Sequence, residues 1–188
     1  RAISGNIGAG KTTLCNNLSK LLSNTKIELE SFTENKYLEP FYKEMEIVGP
    51  KSYNKFAYPV QMVFLKSRLE REQRCETKQF NYIIERSIYE DRYIFAENQL
   101  KTGQINQEEF EEYLSCFEEN CEKMRKLDVV IYIRAKTETL YKRVKERGRD
   151  MENGIDKEYL NDLNLLYENS LLPALKGMKE DLVVLVYD

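Results

Sequence analysis

Eight consecutive residues, Gly5-Asn6-Ile7-Gly8-Ala9-Gly10-Lys11-Thr12, have the composition and spacing of a loop that wraps phosphate. The glycines let backbone N–H groups close around anionic oxygens, the Lys11 ammonium adds a point charge, and the Thr12 hydroxyl can take a place on Mg2+. Thr13 stands directly behind them. The pattern predicts a bound nucleoside triphosphate; a glycine-rich turn without a ligand is the alternative. A triphosphate site also needs an acidic group for the metal, usually at the carboxyl end of a neighbouring apolar strand. The run Tyr82-Ile83-Ile84-Glu85 offers one. Glu85 could hold Mg2+ directly or through water, while Arg86 reaches the transferring or acceptor oxygens. A strand-end ion pair is the competing use of Glu85.

Three arginines form a second cluster. Arg143 and Arg147 share one helical face and Arg149 lies just past Gly148, so the group could close over a triphosphate and neutralise charge as the γ-phosphoryl moves. The alternative is a solvated helix end. Glu30 ends the second predicted strand, at the place where open α/β sheets bind ligands, and is a candidate to accept the proton of an attacking hydroxyl. Glu34 competes for that role, and spacing does not choose between them. Gln61 and Arg68, seven residues apart with Leu65 between them, share a helix face. They could read the edge of a nucleobase while Asp91 orients Arg68. Arg68 could instead pair with Glu72 one turn on.

These side chains need elements to position them. β-rich runs at residues 1–4, 26–30, 81–85, 129–133 and 182–187 alternate with helical stretches. That order predicts an α/β fold, a five-stranded parallel sheet flanked by helices on both faces. Leu14, Cys15, Leu18, Leu21 and Leu22 recur at helical spacing behind the phosphate loop, so the positive end of a helix should face the anion. Pro59 is placed to open a helix running to about Cys75. Asn106 with Glu109 has the form of a capping box, and Phe110, Tyr113, Leu114, Phe117, Cys121 and Met124 make an apolar stripe behind it. The stripe reads as core, part of which could form a dimer seam. Residues 140–147 read as a helix ending at Gly148, and Tyr159 begins another that should stop near Pro173. No repeat or shift in composition marks a boundary, so residues 1–188 are expected to form one domain with a lid at about residues 143–155.

Composition narrows the chemistry. The 188 residues include no histidine, which excludes Ser-His-Asp triads, Cys-His pairs and histidine-ligated metals. Carboxylates, Lys and Arg must do the work, an inventory suited to phosphoryl transfer. Charged residues make up 32%, the net charge is −3, and no run reaches the length of a membrane span. The acidic balance argues against a nucleic-acid surface. Cys15, Cys75, Cys116 and Cys121 form no C-x-x-C pair and read as reduced, apolar residues. The expected location is cytoplasmic; an N-terminal targeting segment removed ahead of Arg1 is the alternative.

Residues 5–12, Glu30-Ser31-Phe32, residues 61–68, the run Glu85-Arg86-Ser87-Ile88-Tyr89-Glu90-Asp91-Arg92-Tyr93-Ile94-Phe95 and residues 143–149 together resemble the deoxynucleoside kinases. The match is to the deoxycytidine, deoxyguanosine and deoxyadenosine kinase group and spans nearly the whole chain. The resemblance implies phosphorylation of a deoxynucleoside 5′-hydroxyl by ATP with Mg2+, for nucleotide salvage. It makes Glu30 the general base, puts Thr12 and Glu85 on the metal, and sets Lys11 and Arg86 at the reacting oxygens. It assigns Gln61 to the nucleobase edge beside a coupled Arg68 and Asp91, and Tyr42 and Glu158 to the sugar 3′-hydroxyl. Arg143, Arg147 and Arg149 become the lid, and the assembly a homodimer built on helices. Retention of both Arg68 and Asp91 favours deoxyadenosine, deoxyguanosine or deoxycytidine over thymidine.

Two departures stand out. Ser31-Phe32 replaces the usual Pro-Val after Glu30, which would reshape the acceptor pocket. The adenine-contacting loop and last helix of the family lie around and beyond Asp188, so donor-base contacts would be incomplete. The nearest rival, a nucleoside monophosphate kinase, needs extra cations for its acceptor phosphate, and near Glu30 only Lys36 is on offer. A GTP-dependent switch would carry Asp-x-x-Gly and Asn-Lys-x-Asp, which are absent. A binding module without catalysis would leave the acids and arginines without a role.

Overall fold

A strand with every residue buried belongs in the middle of its sheet. β1 (Ala2–Gly5) is such a strand, paired in parallel with β3 (Asn81–Glu85) on one side and β4 (Val129–Ile133) on the other. β2 (Thr25–Glu28) extends the sheet beyond β3 and β5 (Val183–Tyr187) beyond β4. The order is β2-β3-β1-β4-β5, five strands with every pair parallel. This computed structural model of the chain describes all residues except 32, 76–79, 123, 125, 126, 179 and 180. The departure expected at Phe32 therefore lies outside the described residues. Pairing of Ile3 with Glu85 brings the end of β3 level with the start of the phosphate loop.

The second strand stops short of the expected residue 30. It ends at Glu28, the last residue paired with β3, and Glu30 lies two residues past it. There the Glu30 N–H turns to donate to Glu85 Oε2 at 3.2 Å instead of continuing the ladder.

α1 (Lys11–Leu21) leaves the phosphate loop directly from Gly10. It buries Cys15 and packs Leu14 and Leu18 on the core, but Leu21 is 78% exposed, so its apolar face is narrower than the leucine spacing implies. α2 (Leu38–Val48) and α3 (Ala57–Arg74) follow, with Pro59 in the first turn of α3, where its missing N–H has no partner to lose. α4 (Ile88–Glu90) runs through a π-helical turn (Asp91–Ala96) into α5 (Glu97–Lys101). The capping box opens α6 (Gln107–Cys121): Glu109 N–H donates to Asn106 Oδ1 at 2.9 Å and Asn106 N–H to Glu109 Oε2 at 3.0 Å. Phe110, Tyr113 and Phe117 of its stripe are core.

α7 (Thr137–Arg147) stops at Gly148, whose φ of 62° is the left-handed conformation a glycine adopts readily. A short 3-10 turn (Asp150–Glu152) leads to α8 (Lys157–Leu166), a π-helical turn (Tyr167–Leu171) and α9 (Leu172–Met178). The helix expected to stop near Pro173 thus passes through it. The wide π-helical turn restarts the ladder, and Pro173 falls in the first turn of α9, where neither its missing N–H nor its ring is a problem. All four cysteines are free. Among the described residues no helix is long and apolar enough to cross a membrane.

Candidate active site

The phosphate loop is braced from behind by two helices. A Cβ on Gly8, whose φ is 81°, would come within 3.0 Å of the Leu140 carbonyl oxygen, so only glycine lets the loop lie this close to α7. Asn6 Nδ2 donates to the Leu160 carbonyl and to Asn164 Oδ1, both at 2.8 Å, which pins the loop to α8. Lys11 is buried and its Nζ donates to the Asn6 carbonyl at 2.9 Å. Burial, with the Arg86 guanidinium nearby, pushes its pKa down to about 7. Thr12 Oγ1 donates to Glu85 Oε1 at 2.7 Å, so the two candidate metal ligands already touch. Arg143 Nη1 reaches the Ala9 carbonyl at 3.4 Å. A cavity of about 520 Å3 opens here, bordered by Gly10, Lys11, Thr12 and Thr13, and runs on to Gln61 and Arg68.

At the other end of that cavity, Glu30 sits between two buried arginines. Its Oε1 accepts from Arg68 Nη2 at 2.6 Å and its Oε2 from Arg86 Nε at 3.0 Å. Burial favours the neutral acid, but Arg68, Arg86 and Lys11 outweigh it and hold the carboxyl well below the usual range. Glu34 is exposed and does not border the cavity. Arg68 Nε also donates to Asp91 Oδ2 at 2.5 Å, and not to Glu72, whose carboxylate accepts from Ile88 N–H. Full burial wins over Arg68 in raising the Asp91 carboxyl to about 6. Arg86 has left-handed backbone, φ 59°, which is costly for a side-chain-bearing residue. Its carbonyl is held by Arg71 Nη2 at 2.5 Å and its guanidinium lies over the Phe95 ring at 4.9 Å.

Gln61 borders the cavity at 3% exposure with its Oε1 buried and unpartnered, and Gln99 on α5 does the same. Nothing in the spacing of Gln99 pointed to this pocket. In the segment expected to form the lid, Arg147 grips Glu152 with Nε and Nη2, its shortest contact being 2.6 Å, and Arg149 Nη1 joins it at 3.3 Å. Glu152, Tyr42 and Tyr159 border the cavity together; burial, with Tyr159 and Glu152 alongside, pushes the Tyr42 hydroxyl well above the usual range. Glu158, expected at the sugar, is not brought to this cavity. At the start of α8 Tyr159 turns inward and Glu158 outward, where Lys51 Nζ pairs with it at 2.6 Å.

A parallel α/β sheet with a phosphate loop at the end of its central strand, and an acid between two arginines in the same cavity, is the frame of a nucleotide-dependent phosphotransferase. The chain belongs to the deoxynucleoside kinase family, whose family model matches residues 2–187. It is similar to deoxyadenosine kinase of Dictyostelium discoideum, with 34% identity over 170 residues, 90% of this chain and 65% of the relative. Deoxyadenosine/deoxycytidine kinase of Bacillus subtilis is 31% identical over 186 residues, 95% of this chain and 82% of that one. A solved structure of deoxyadenosine kinase from M. mycoides, with products dCMP and a flexible dCDP bound, superposes with a TM-score of 0.79 at 30% identity, covering 100% of this chain and 88% of the other.

Proposed function

We propose that the chain transfers the γ-phosphoryl group of ATP to the 5′-hydroxyl of deoxyadenosine, deoxyguanosine or deoxycytidine, giving the 5′-monophosphate for nucleotide salvage. The observation that carries this reading is Glu30, held by Arg68 and Arg86 at 2.6 and 3.0 Å in the cavity that Lys11 and Thr12 also border. A monophosphate acceptor would need uncommitted cations there, whereas both arginines are already engaged by carboxylates.

In this reading Glu30, ionised throughout the working pH range, takes the 5′-hydroxyl proton as the hydroxyl oxygen attacks the γ-phosphorus and the bond to the ADP oxygen breaks. Lys11 meets the phosphates, whose charge restores its proton. Arg86 faces the acceptor and transferring oxygens, and Arg143, Arg147 and Arg149 neutralise charge from the lid. Thr12 Oγ1 and Glu85 Oε1, 2.7 Å apart, are hard oxygen donors of the kind Mg2+ takes beside phosphate oxygens and water, so they fit that ion. The ion would supply neutralisation of the transferring phosphate.

At the sugar, Tyr42 acts with Glu152 in place of Glu158. The buried amide oxygens of Gln61 and Gln99 suit an exocyclic amino group, which adenine and cytosine carry and thymine lacks. We take residues 1–188 to work as one domain, within a cytoplasmic homodimer that sedimentation can measure. The test is incubation with Mg2+-ATP and a panel of deoxynucleosides and their monophosphates, with products followed by chromatography. Product from the deoxynucleosides is expected; phosphorylation of monophosphates alone would overturn the reading.

A further inference from the structure

The run from Glu85 to Phe95 contains an acid to which neither the transfer chemistry nor the base pocket gives a role. Glu90 is 0% exposed and does not border the cavity. A carboxylate so placed is unfavourable unless its lone pairs are met, and these are. Its Oε1 accepts from Arg86 Nη1 at 3.0 Å, from the Gly5 N–H at 3.3 Å and from the Tyr167 hydroxyl at 2.7 Å. Its Oε2 accepts from the Ser87 N–H at 3.3 Å, closing a capping box at the start of α4. The Tyr167 hydroxyl also accepts from Arg86 Nη1 at 2.8 Å and lies 2.8 Å from the Gly5 carbonyl. Its ring stacks on Tyr132, centroids 5.2 Å apart and 11° from parallel, so the hydroxyl is fixed in place.

These partners come from the three parts that must keep register during transfer. Gly5 begins the phosphate loop, Arg86 follows β3 on the acceptor side, and Tyr167 continues the helix whose Asn164 pins the loop. We infer that Glu90, with Tyr167, is a positioning residue for phosphoryl transfer: it ties Arg86 Nη1 to the first residue of the phosphate loop. Tied there, the guanidinium keeps its Nε on Glu30 at 3.0 Å, and its charge is shared between Glu90 and Glu30. Without the Glu90 charge, Arg86 faces Glu30 alone, tightens on it, and leaves both the base and itself poorly placed. This inference rests on the roles proposed above for Glu30 and Arg86.

The test compares Glu90→Gln, nearly the same shape without the charge, with Tyr167→Phe, Arg86→Lys and Glu30→Gln in the full chain. Glu90→Gln should lower kcat about 10- to 100-fold while the KM values for ATP and deoxynucleoside stay within about threefold. Tyr167→Phe should move kcat the same way by about fivefold, and decides alone if Glu90→Gln does not fold. In the Arg86→Lys background Glu90→Gln should have little further effect, because the fork it holds is gone. If Glu30→Gln is inactive while Glu90→Gln and Tyr167→Phe keep kcat within about threefold of the parent, the inference is overturned and the proposed function stands. A parallel fall in melting temperature and rise in both KM values, with kcat preserved, also overturns it, since that is what a merely structural role produces. If Glu30→Gln retains full turnover, the reading beneath it fails first.

Discussion

Lys11 and Arg86 share one cavity but respond differently to burial. The guanidinium stays charged, whereas the Lys11 ammonium is pushed from the ordinary 10.5 down to about 7. A base whose folded pKa lies below its unfolded one destabilises the folded state at low pH, and that burden lifts as pH rises from about 7 towards 10.5. Lys11→Met should therefore raise the melting temperature without nucleotide, and raise it more at about pH 6 than at about pH 9.5. Thermal melts at the two values check this; equal gains would refute it. Glu152 and Glu158 give a second contrast. Glu152→Gln should raise the deoxynucleoside KM about tenfold, roughly the worth of one charge-assisted hydrogen bond, while Glu158→Ala should leave steady-state kinetics unchanged. The two acids were easy to confuse along the sequence because Glu152 stands within the expected lid and Glu158 just past it. They separate only once the first turn of α8 chooses which side faces in.

Helix ends and turns decide much of what reaches the cavity. Gly148 releases the chain from α7 so that Arg149 can join Arg147 on Glu152. A Cβ there has its nearest neighbour 4.0 Å away, so Gly148→Ala meets conformational strain without a clash. It should cost about 1 kcal/mol, or about 2–4 °C in melting temperature, measured by calorimetry. This stop was legible, since a glycine after a periodic run has one strong reading, and so was the Asn106 capping box. The stop at Pro173 was not. A hydrophobic period of 3.6 is blind to the one extra residue of a π-helical turn, and that residue is what accommodates the proline. The end of β2 was missed for a related reason: the alternation of residues 26–30 continues to Glu30, but the Glu30 N–H donates to the Glu85 side chain and no longer to the ladder.

Across the whole molecule, the parallel sheet and its helices could be read from alternating runs, whereas strand order and the contacts across it could not. Glu90 and Tyr167 are 77 residues apart, and Asn6 and Leu160 are separated by 154; no local pattern announces either pair. Residues proposed to touch phosphate were visible because their type and spacing are dictated by the ligand. Those that hold them are dictated by the fold. Nucleotide binding should engage this whole frame: Mg2+-ATP at about 100 times its Kd should stabilise by about 2.7 kcal/mol and raise the melting temperature by about 5–10 °C. Lys11→Met should melt higher than the parent alone yet lose most of that rise, a reversal of order that a thermal shift titration reads directly.

The turn at Tyr167–Leu171 also makes the chain's length at that point matter in a way its side chains do not. A π-helical turn is an α-helix carrying one residue too many, and Asn169 within it is exposed. Deleting Asn169 removes little contact of its own, but it returns the segment to an ordinary helix and rotates everything after it by about 100°. Leu172 and Leu175, now in the core, would swing towards solvent, so that a one-residue deletion here should damage the protein more than most substitutions of the same residue.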